Sequence, residues 1–168
     1  NPATQMTRTA RGTLALFAPA LAVLVVDQGS KAWVATALPF GSGVAVAPFF
    51  NLVHTRNTGA AFSMLADAGG WQRYFFLVLA LLVSVWISTM LVRHAMRASE
   101  RWAYSLIMGG ALGNAVDRAR KGAVTDFLDL HAFGSHWPAF NVADIGITAG
   151  AALLVWSAVR GSSPQPRE

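Results

Sequence analysis

Four stretches of the chain run apolar for most of a bilayer's thickness, and polar segments separate them. The first extends from Gly12 to Leu38 and is uncharged from Leu14 to Val26, before Asp27 and Lys31 interrupt it. The second, Tyr74 to Val92, holds no charged side chain, and the third covers Trp102 to Val116. The fourth runs from Ala139 to Val159 and is broken only by Asp144. A helix needs roughly 20 residues to cross the hydrocarbon core, and each stretch reaches that length with its polar end included. The pattern predicts transmembrane helices over about 12–38, 71–93, 101–121 and 139–160, in one polytopic domain covering 1–168. Segments 39–70 and 122–138 then lie outside the membrane, and 161–168 reads as a flexible tail. The first stretch is too long for a cleaved signal peptide and carries Asp27 and Lys31 within it. Asn1 to Gln5 reads as a tag remnant before a native start at Met6.

Between the helices the period changes. Val44 to Ala47 and Phe50 to Thr55 are short β-prone runs split by Pro48, and Val124 to Leu130 is a third. These runs are expected to pair into a small sheet on the membrane surface. Gly109 with Gly113, and Gly146 with Gly150, form GxxxG spacings in the third and fourth helices. Small residues at that spacing allow close approach, so these two helices are expected to pack together.

Composition agrees with the pattern. Apolar residues make up 54% of the chain and charged residues 12%, against roughly 25% charged in soluble domains. The net charge of +5 does not mark a nucleic-acid binder, because the basic residues fall in short groups at helix ends rather than in one stripe. Arg8 and Arg11, then Arg93, Arg97 and Arg101, then Arg160 and Arg167 place both termini in the cytoplasm by the positive-inside rule. Arg118, Arg120 and Lys121 stand on the other side, against that rule, and are attributed to the architecture of a site. With no cysteine, disulfides, thiol nucleophiles and Cys-ligated metals are excluded. His54, His94, His131 and His136 have no ligand spacing and no HExxH, so a metal site is not expected and these side chains read as interfacial or solvated.

The candidate chemistry lies in acids placed where acids are costly. A charge at the bilayer centre costs about 2.5–3.5 kcal/mol on insertion scales, yet Asp27, Asp117, Asp126, Asp129 and Asp144 lie in or beside apolar stretches. Asp27 and Lys31 share a helix face and read as a structural ion pair at the membrane surface, or as a support near a site. Asn114, Asp117 and Arg118 form a polar stripe at the end of the third helix. Asn141 and Asp144 suit an N-cap with an acid in the first turn, which is compatible with catalysis. Asp126 sits in Val124-Thr125-Asp126-Phe127-Leu128, where an acid is either paired or working. Asp129 reads as a solvated loop charge. Asn57-Thr58-Gly59-Ala60-Ala61-Phe62 carries a turn signal at Gly59.

Together these motifs resemble the lipoprotein signal peptidase (signal peptidase II) family. The matching residues are Val26-Asp27-Gln28-Gly29-Ser30-Lys31, Asn57 to Phe62, Gly109 to Asn114 with Asp117-Arg118, Val124 to Phe127, and Phe140 to Asp144, in the family's order. The resemblance implies a mainly α membrane protein of four transmembrane helices with a small periplasmic β-cradle. It implies an aspartyl endopeptidase of the bacterial inner membrane with its active site on the periplasmic side and no cofactor. Such an enzyme removes the signal peptide of diacylglyceryl-modified prolipoproteins, cleaving before the lipidated Cys. Carried over by position, Asp126 and Asp144 are the catalytic pair. Asn57, Gly59, Asn114, Asp117, Arg118, Asn141, Asp27 and Lys31 support the site or hold substrate. Membrane lipid and globomycin-type inhibitors are the further partners implied. The competing reading is a Mg²⁺-dependent phosphotransfer enzyme using Asp117, Asp126, Asp129 and Asp144, with Arg118, Arg120 and Lys121 on phosphate; the spacing of the acids does not fit it. A transporter or scaffold would have no reason to place both candidate acids at helix ends on one side.

Overall fold

A computed structural model describes residues 12–59 and 69–161. The expected tag at Asn1–Gln5, the cytoplasmic markers Arg8, Arg11 and Arg167, the Ala60–Phe62 part of one motif and the tail beyond Gly161 lie outside them. Helix α1 is Ala18–Ala37, α2 is Trp71–Arg93, α3 is Ala98–Lys121 and α4 is Val142–Gly161. Strands β1 (Gly43–Ala47) and β2 (Phe50–Asn57) follow α1, and β3 (Val124–Ala132) and β4 (Ser135–His136) follow α3. The chain is therefore mainly helical, with one four-stranded sheet in the order β1-β2-β3-β4.

Several boundaries differ from those read off the apolar pattern. The first stretch is helical over 12–16 and leaves helix at Phe17 before α1 begins, because Pro19 in the first turn has no N–H to give. α3 starts ahead of residue 101 because Glu100 reaches back to the Arg97 N–H at 3.0 Å, a capping box. The last helix begins at Val142 rather than 139. Phe140 is engaged with β3 instead, donating to the Leu128 carbonyl at 3.0 Å and accepting from Phe127 and Leu128 at 3.0 and 2.9 Å.

Among the described residues two helices, α2 and the stretch Val142–Arg160 of α4, are long and apolar enough to cross a membrane. α2 points Val78, Leu82, Val85, Trp86 and Val92 outward, all about half exposed or more. α1 and α3 are more polar, and their polar groups turn inward: Asp27, Lys31, Asn114 and Asp117 are all buried.

α3 is the central helix and touches the other three. Its glycines set the spacing. A Cβ on Gly110 would overlap the carbonyl of Ala143 on α4, and one on Gly150 would meet the Ala103 carbonyl on α3 at 2.6 Å. The expected α3–α4 packing is thus present, but Gly109 turns instead to Ala20 of α1. Below these contacts Ala20, Ile87, Leu91 and Met108 form the apolar core.

The sheet is tied to the helices at two joints. His54, buried on β2, bonds the Leu38 carbonyl through Nδ1 at 2.9 Å, which fastens β2 to the end of α1. His54, read as interfacial or solvated, is not solvated here, because its partner Leu38 is distant in sequence. At the second joint Gly122, with φ of 78°, caps α3 in the left-handed region and turns the chain straight into β3. Asp117 then accepts the Thr125 N–H at 2.8 Å, while Lys121 lies 3.2 Å from Asp117 and donates to Thr125 Oγ1 at 3.0 Å. Lys121 thus has a local role where α3 meets the sheet.

Candidate active site

β2 and β3 pair antiparallel, with Thr55 opposite Asp126 and Asn57 opposite Val124. The register carries Asp126 and Asn57 to the place where α4 begins. There Asn141 precedes the helix and caps it: its Oδ1 accepts the Asp144 N–H at 3.1 Å, and the Asn141 N–H donates to Asp144 Oδ2 at 3.1 Å. The other end of the same amide reaches across to the sheet, Nδ2 donating to Asp126 Oδ1 at 2.6 Å. One fully buried Asn side chain therefore locates both carboxylates.

A cavity of about 730 Å³ opens onto them, lined by Asn57, Asn114, Arg118, Asp126 and Asp144 among the polar residues. Its other walls are apolar, including Leu130, Trp137, Pro138, Phe140, Ile145 and Ile147. Burial and then the neighbouring Asp144 charge push the Asp126 carboxyl up to about 7, against the opposing pull of bonds from Asn141 and Asn57 and the charge of Lys31.

Behind the cavity lies a buried charge network. Lys31 Nζ donates to Asp27 Oδ2 at 2.8 Å and to Asn114 Oδ1 at 2.9 Å, and stands 3.6 Å from Asp117. Asn114 passes the contact on, its Nδ2 donating to Asp144 Oδ1 at 2.9 Å. Because Lys31 can only donate, it fixes which way the Asn114 amide faces, and so presents an N–H to Asp144. Asp27 accepts the Ala143 N–H at 2.9 Å, a further tie to the start of α4. The Asp27–Lys31 pair is therefore not a surface ion pair: its side chains are 0% and 1% exposed, and it supports the site from within.

Arg118 lies in the field of Asp144, Asp126 and Asp117. It donates from Nη2 to the Gly59 carbonyl at 2.6 Å, and its guanidinium sits 4.8 Å from the Phe76 ring centre. Among the described residues its buried Nε has no hydrogen-bond partner. Gly59 in turn donates its N–H to Asn57 Oδ1 at 2.9 Å, closing the turn that the sequence signalled.

The residues that the resemblance assigned to the site are in or directly behind the cavity. Arg120 and Lys121, exposed at the end of α3, and Asp129 are not among its lining. Asp129 lies on β3, buried rather than solvated, and bonds Asn51 and His136. Burial alone would raise its carboxyl, but those two bonds outweigh it and hold Asp129 below the ordinary range. Among the described residues no three His, Asp or Glu side chains converge as a metal's donor set. Sequence reasoning missed Gln28, which donates to Asp27 and to the Gly113 carbonyl, both at 3.0 Å. It also missed Trp137 and Phe140 in the cavity wall. Gln28 and Phe140 stand within quoted motifs, whereas Trp137 carries no signal until the strands are paired.

A bundle of apolar-faced helices holding a cavity with one buried and one half-buried carboxylate at one end defines a helical membrane enzyme with an acidic site. Two solved bacterial membrane enzyme structures share this fold: one at a TM-score of 0.81 with 30% identity, covering 92% of this chain and 93% of that one. The other gives 0.74 with 32% identity, covering 86% and 92%. The model of the signal peptidase (SPase) II family matches residues 19–160. The lipoprotein signal peptidase of Paraburkholderia phymatum is 49% identical over 92% of this chain and 94% of its own length. That of Aeromonas hydrophila is 53% identical over 83% and 86%. The chain belongs to the signal peptidase II family.

Proposed function

We propose that the cavity is the active site of an aspartyl endopeptidase that removes the signal peptide from diacylglyceryl-modified prolipoproteins, cutting before the lipidated Cys. The observation that carries this reading is the pair Asp126 and Asp144, both at one cavity and both held by Asn141. Peptide hydrolysis by two carboxylates needs one ionised to take a proton from water and one protonated to polarise the scissile carbonyl. Two neighbouring carboxylates in a poorly hydrated cavity cannot easily both ionise, so the pair keeps one shared proton near neutrality. Water adds to the carbonyl carbon, its proton passes to the ionised carboxylate, and the pair returns a proton to the leaving amine as the C–N bond breaks. Asn57 and Asn141 orient Asp126, Asn114 orients Asp144, and the free edge of Arg118 suits a substrate carbonyl.

The setting fits the same reading. Four helices cross the bacterial inner membrane, with α1 and α3 burying their charges against each other and α2 and α4 facing lipid. Arg93, Arg97, Arg101 and Arg160 stand at the cytoplasmic ends, so the sheet and the cavity face the periplasm. The apolar walls suit the lipid-bearing end of a precursor, and globomycin-type cyclic peptides are expected to compete for them.

The test is cleavage of a lipidated and an unlipidated precursor by the purified full chain, with and without exhaustive EDTA. Cleavage of the lipidated precursor alone, unchanged by EDTA, is expected. Activity lost in EDTA and restored by Mg²⁺ would overturn the carboxylate mechanism in favour of a metal enzyme.

A further inference from the structure

Beyond Asp126 strand β3 runs on into a hairpin with β4, where His131 pairs with His136 and Ala132 with Ser135. This hairpin supplies Leu130 and, directly after β4, Trp137 to the cavity wall. The two are tied together, the Trp137 N–H donating to the Leu130 carbonyl at 2.7 Å. Two ladder pairs do not by themselves hold such an element, since even a longer isolated hairpin is marginally stable. Its turn is open to solvent, with Phe133 fully exposed in the left-handed region at φ of 52°.

What braces it is Asp129. Its carboxylate oxygens receive His136 Nδ1 at 2.9 and 3.0 Å and Asn51 Nδ2 at 2.8 Å. The His131 ring stacks on His136 with centroids 4.9 Å apart. The chain Asn51–Asp129–His136 thus joins β2, β3 and β4 side by side. Side chains alternate along a strand, so Asp126 and Leu130 share the cavity face of β3 while Asp129 points to the other. The brace lies behind the wall, out of reach of the reacting atoms. Bonds to an ionised carboxylate are stronger than neutral ones, which suits a brace of three side chains.

We propose that Asn51, Asp129 and His136 form a latch that positions Leu130 and Trp137, and through them sets the affinity for the apolar, lipid-bearing end of the precursor. The proposal rests on the cavity being the prolipoprotein site. Asp129 and His136 are positioning residues, and their loss acts on substrate binding rather than on bond cleavage.

The test is steady-state kinetics of the full chain on a lipidated precursor. His136→Ala is expected to raise KM about tenfold, the scale of a disturbed apolar pocket, with kcat unchanged. His136→Asn, which restores an N–H near the Nδ1 position, should recover most of that loss. In a Trp137→Ala background His136→Ala should add little, because the latch acts through the wall that is already gone. An unchanged KM in His136→Ala, a fall in kcat at constant KM, or additive effects with Trp137→Ala would each overturn the latch. Should His136→Ala not fold, Asn51→Ala breaks the brace from its other end and carries the same expectations. A wild-type chain that leaves the lipidated precursor uncut would instead overturn the reading of the cavity, whatever the variants do.

Discussion

Asn141 donates to Asp126 across 2.6 Å, from the N-terminus of α4 to the first part of β3. The contact joins two elements that are separate in sequence, and the same amide accepts the Asp144 N–H at 3.1 Å. The distance between the two carboxylates is therefore governed by one rigid side chain. Rigidity at this point matters because a carboxylate pair works through water only when both groups reach it together.

Asp126→Asn and Asp144→Asn are each expected to lower cleavage by roughly a thousandfold or more while leaving an inserted, folded protein. The double variant should be little worse than either single one, because the pair acts as a unit. A cleavage assay beside thermal unfolding in detergent checks this, and substantial activity in either single variant would sink the pair. Asp129→Asn, acting only on the hairpin, should keep kcat.

Asn141→Ala removes both the cap and the bridge. A stability loss of about 1 kcal/mol is expected from the cap alone, and activity should fall further than that loss explains. Asn141→Asp keeps a capping oxygen but puts an acid against Asp126. It should retain stability better than Asn141→Ala while still losing activity. Equal activity in wild type and Asn141→Asp would show that the bridge does not matter.

Lys31 and Lys121 both lie near Asp117, at 3.6 and 3.2 Å, but Lys31 is 1% exposed and Lys121 31%. Lys31→Met leaves Asp27 and Asp117 without their buried cation and is expected to destabilise by about 3–5 kcal/mol. Lys121→Met breaks a half-exposed pair and should cost at most about 1 kcal/mol. Chemical or thermal unfolding of the two variants side by side decides the order. Lys31→Met should also lower activity in whatever fraction remains folded, since Asn114 is then free to turn its amide away from Asp144.

The Asp126 carboxyl is raised from 3.8 to about 7. Between those values the folded protein holds a proton that the unfolded chain has released, so stability declines as pH rises through that window. The contribution is complete below the unfolded value and lost above the folded one. Asp129, held low, acts in the opposite sense and only at more acidic pH. Asp126→Asn should flatten the decline and be at least as stable as wild type at pH about 8. Cleavage by the wild type should fall both when the pair is fully protonated and when it loses its shared proton, with the alkaline limb near the raised value. A melting temperature that rises between pH 4 and 7 and stays sensitive to Asp126→Asn in that direction would contradict this account.

The apolar pattern by itself marked the rough positions of the four long helices among the described residues, because burial against lipid or neighbours demands the same apolar stretches wherever the partners lie. Local chemistry was legible as well: Asn141 as a cap to Asp144, and Gly59 in its turn, both depend on residues a few positions apart. Close helix approach at the glycines was legible too, though not which neighbour Gly109 would meet. Tertiary structure alone decided what the buried charges do. Asp27 with Lys31 looked like a surface pair because an i, i+4 spacing carries no information about depth; only the packing of α1 on α3 brings Asn114 and Asp117 to them. Asp129 reads as solvated for the same reason, since its partners Asn51 and His136 sit on other strands, and the tie from His54 to the end of α1 is likewise invisible in the sequence. The distinction between the acids followed from register. Each step along β3 moves a side chain from one face to the other, and the odd number of steps between Asp126 and Asp129 puts them on opposite faces although the two share one apolar run.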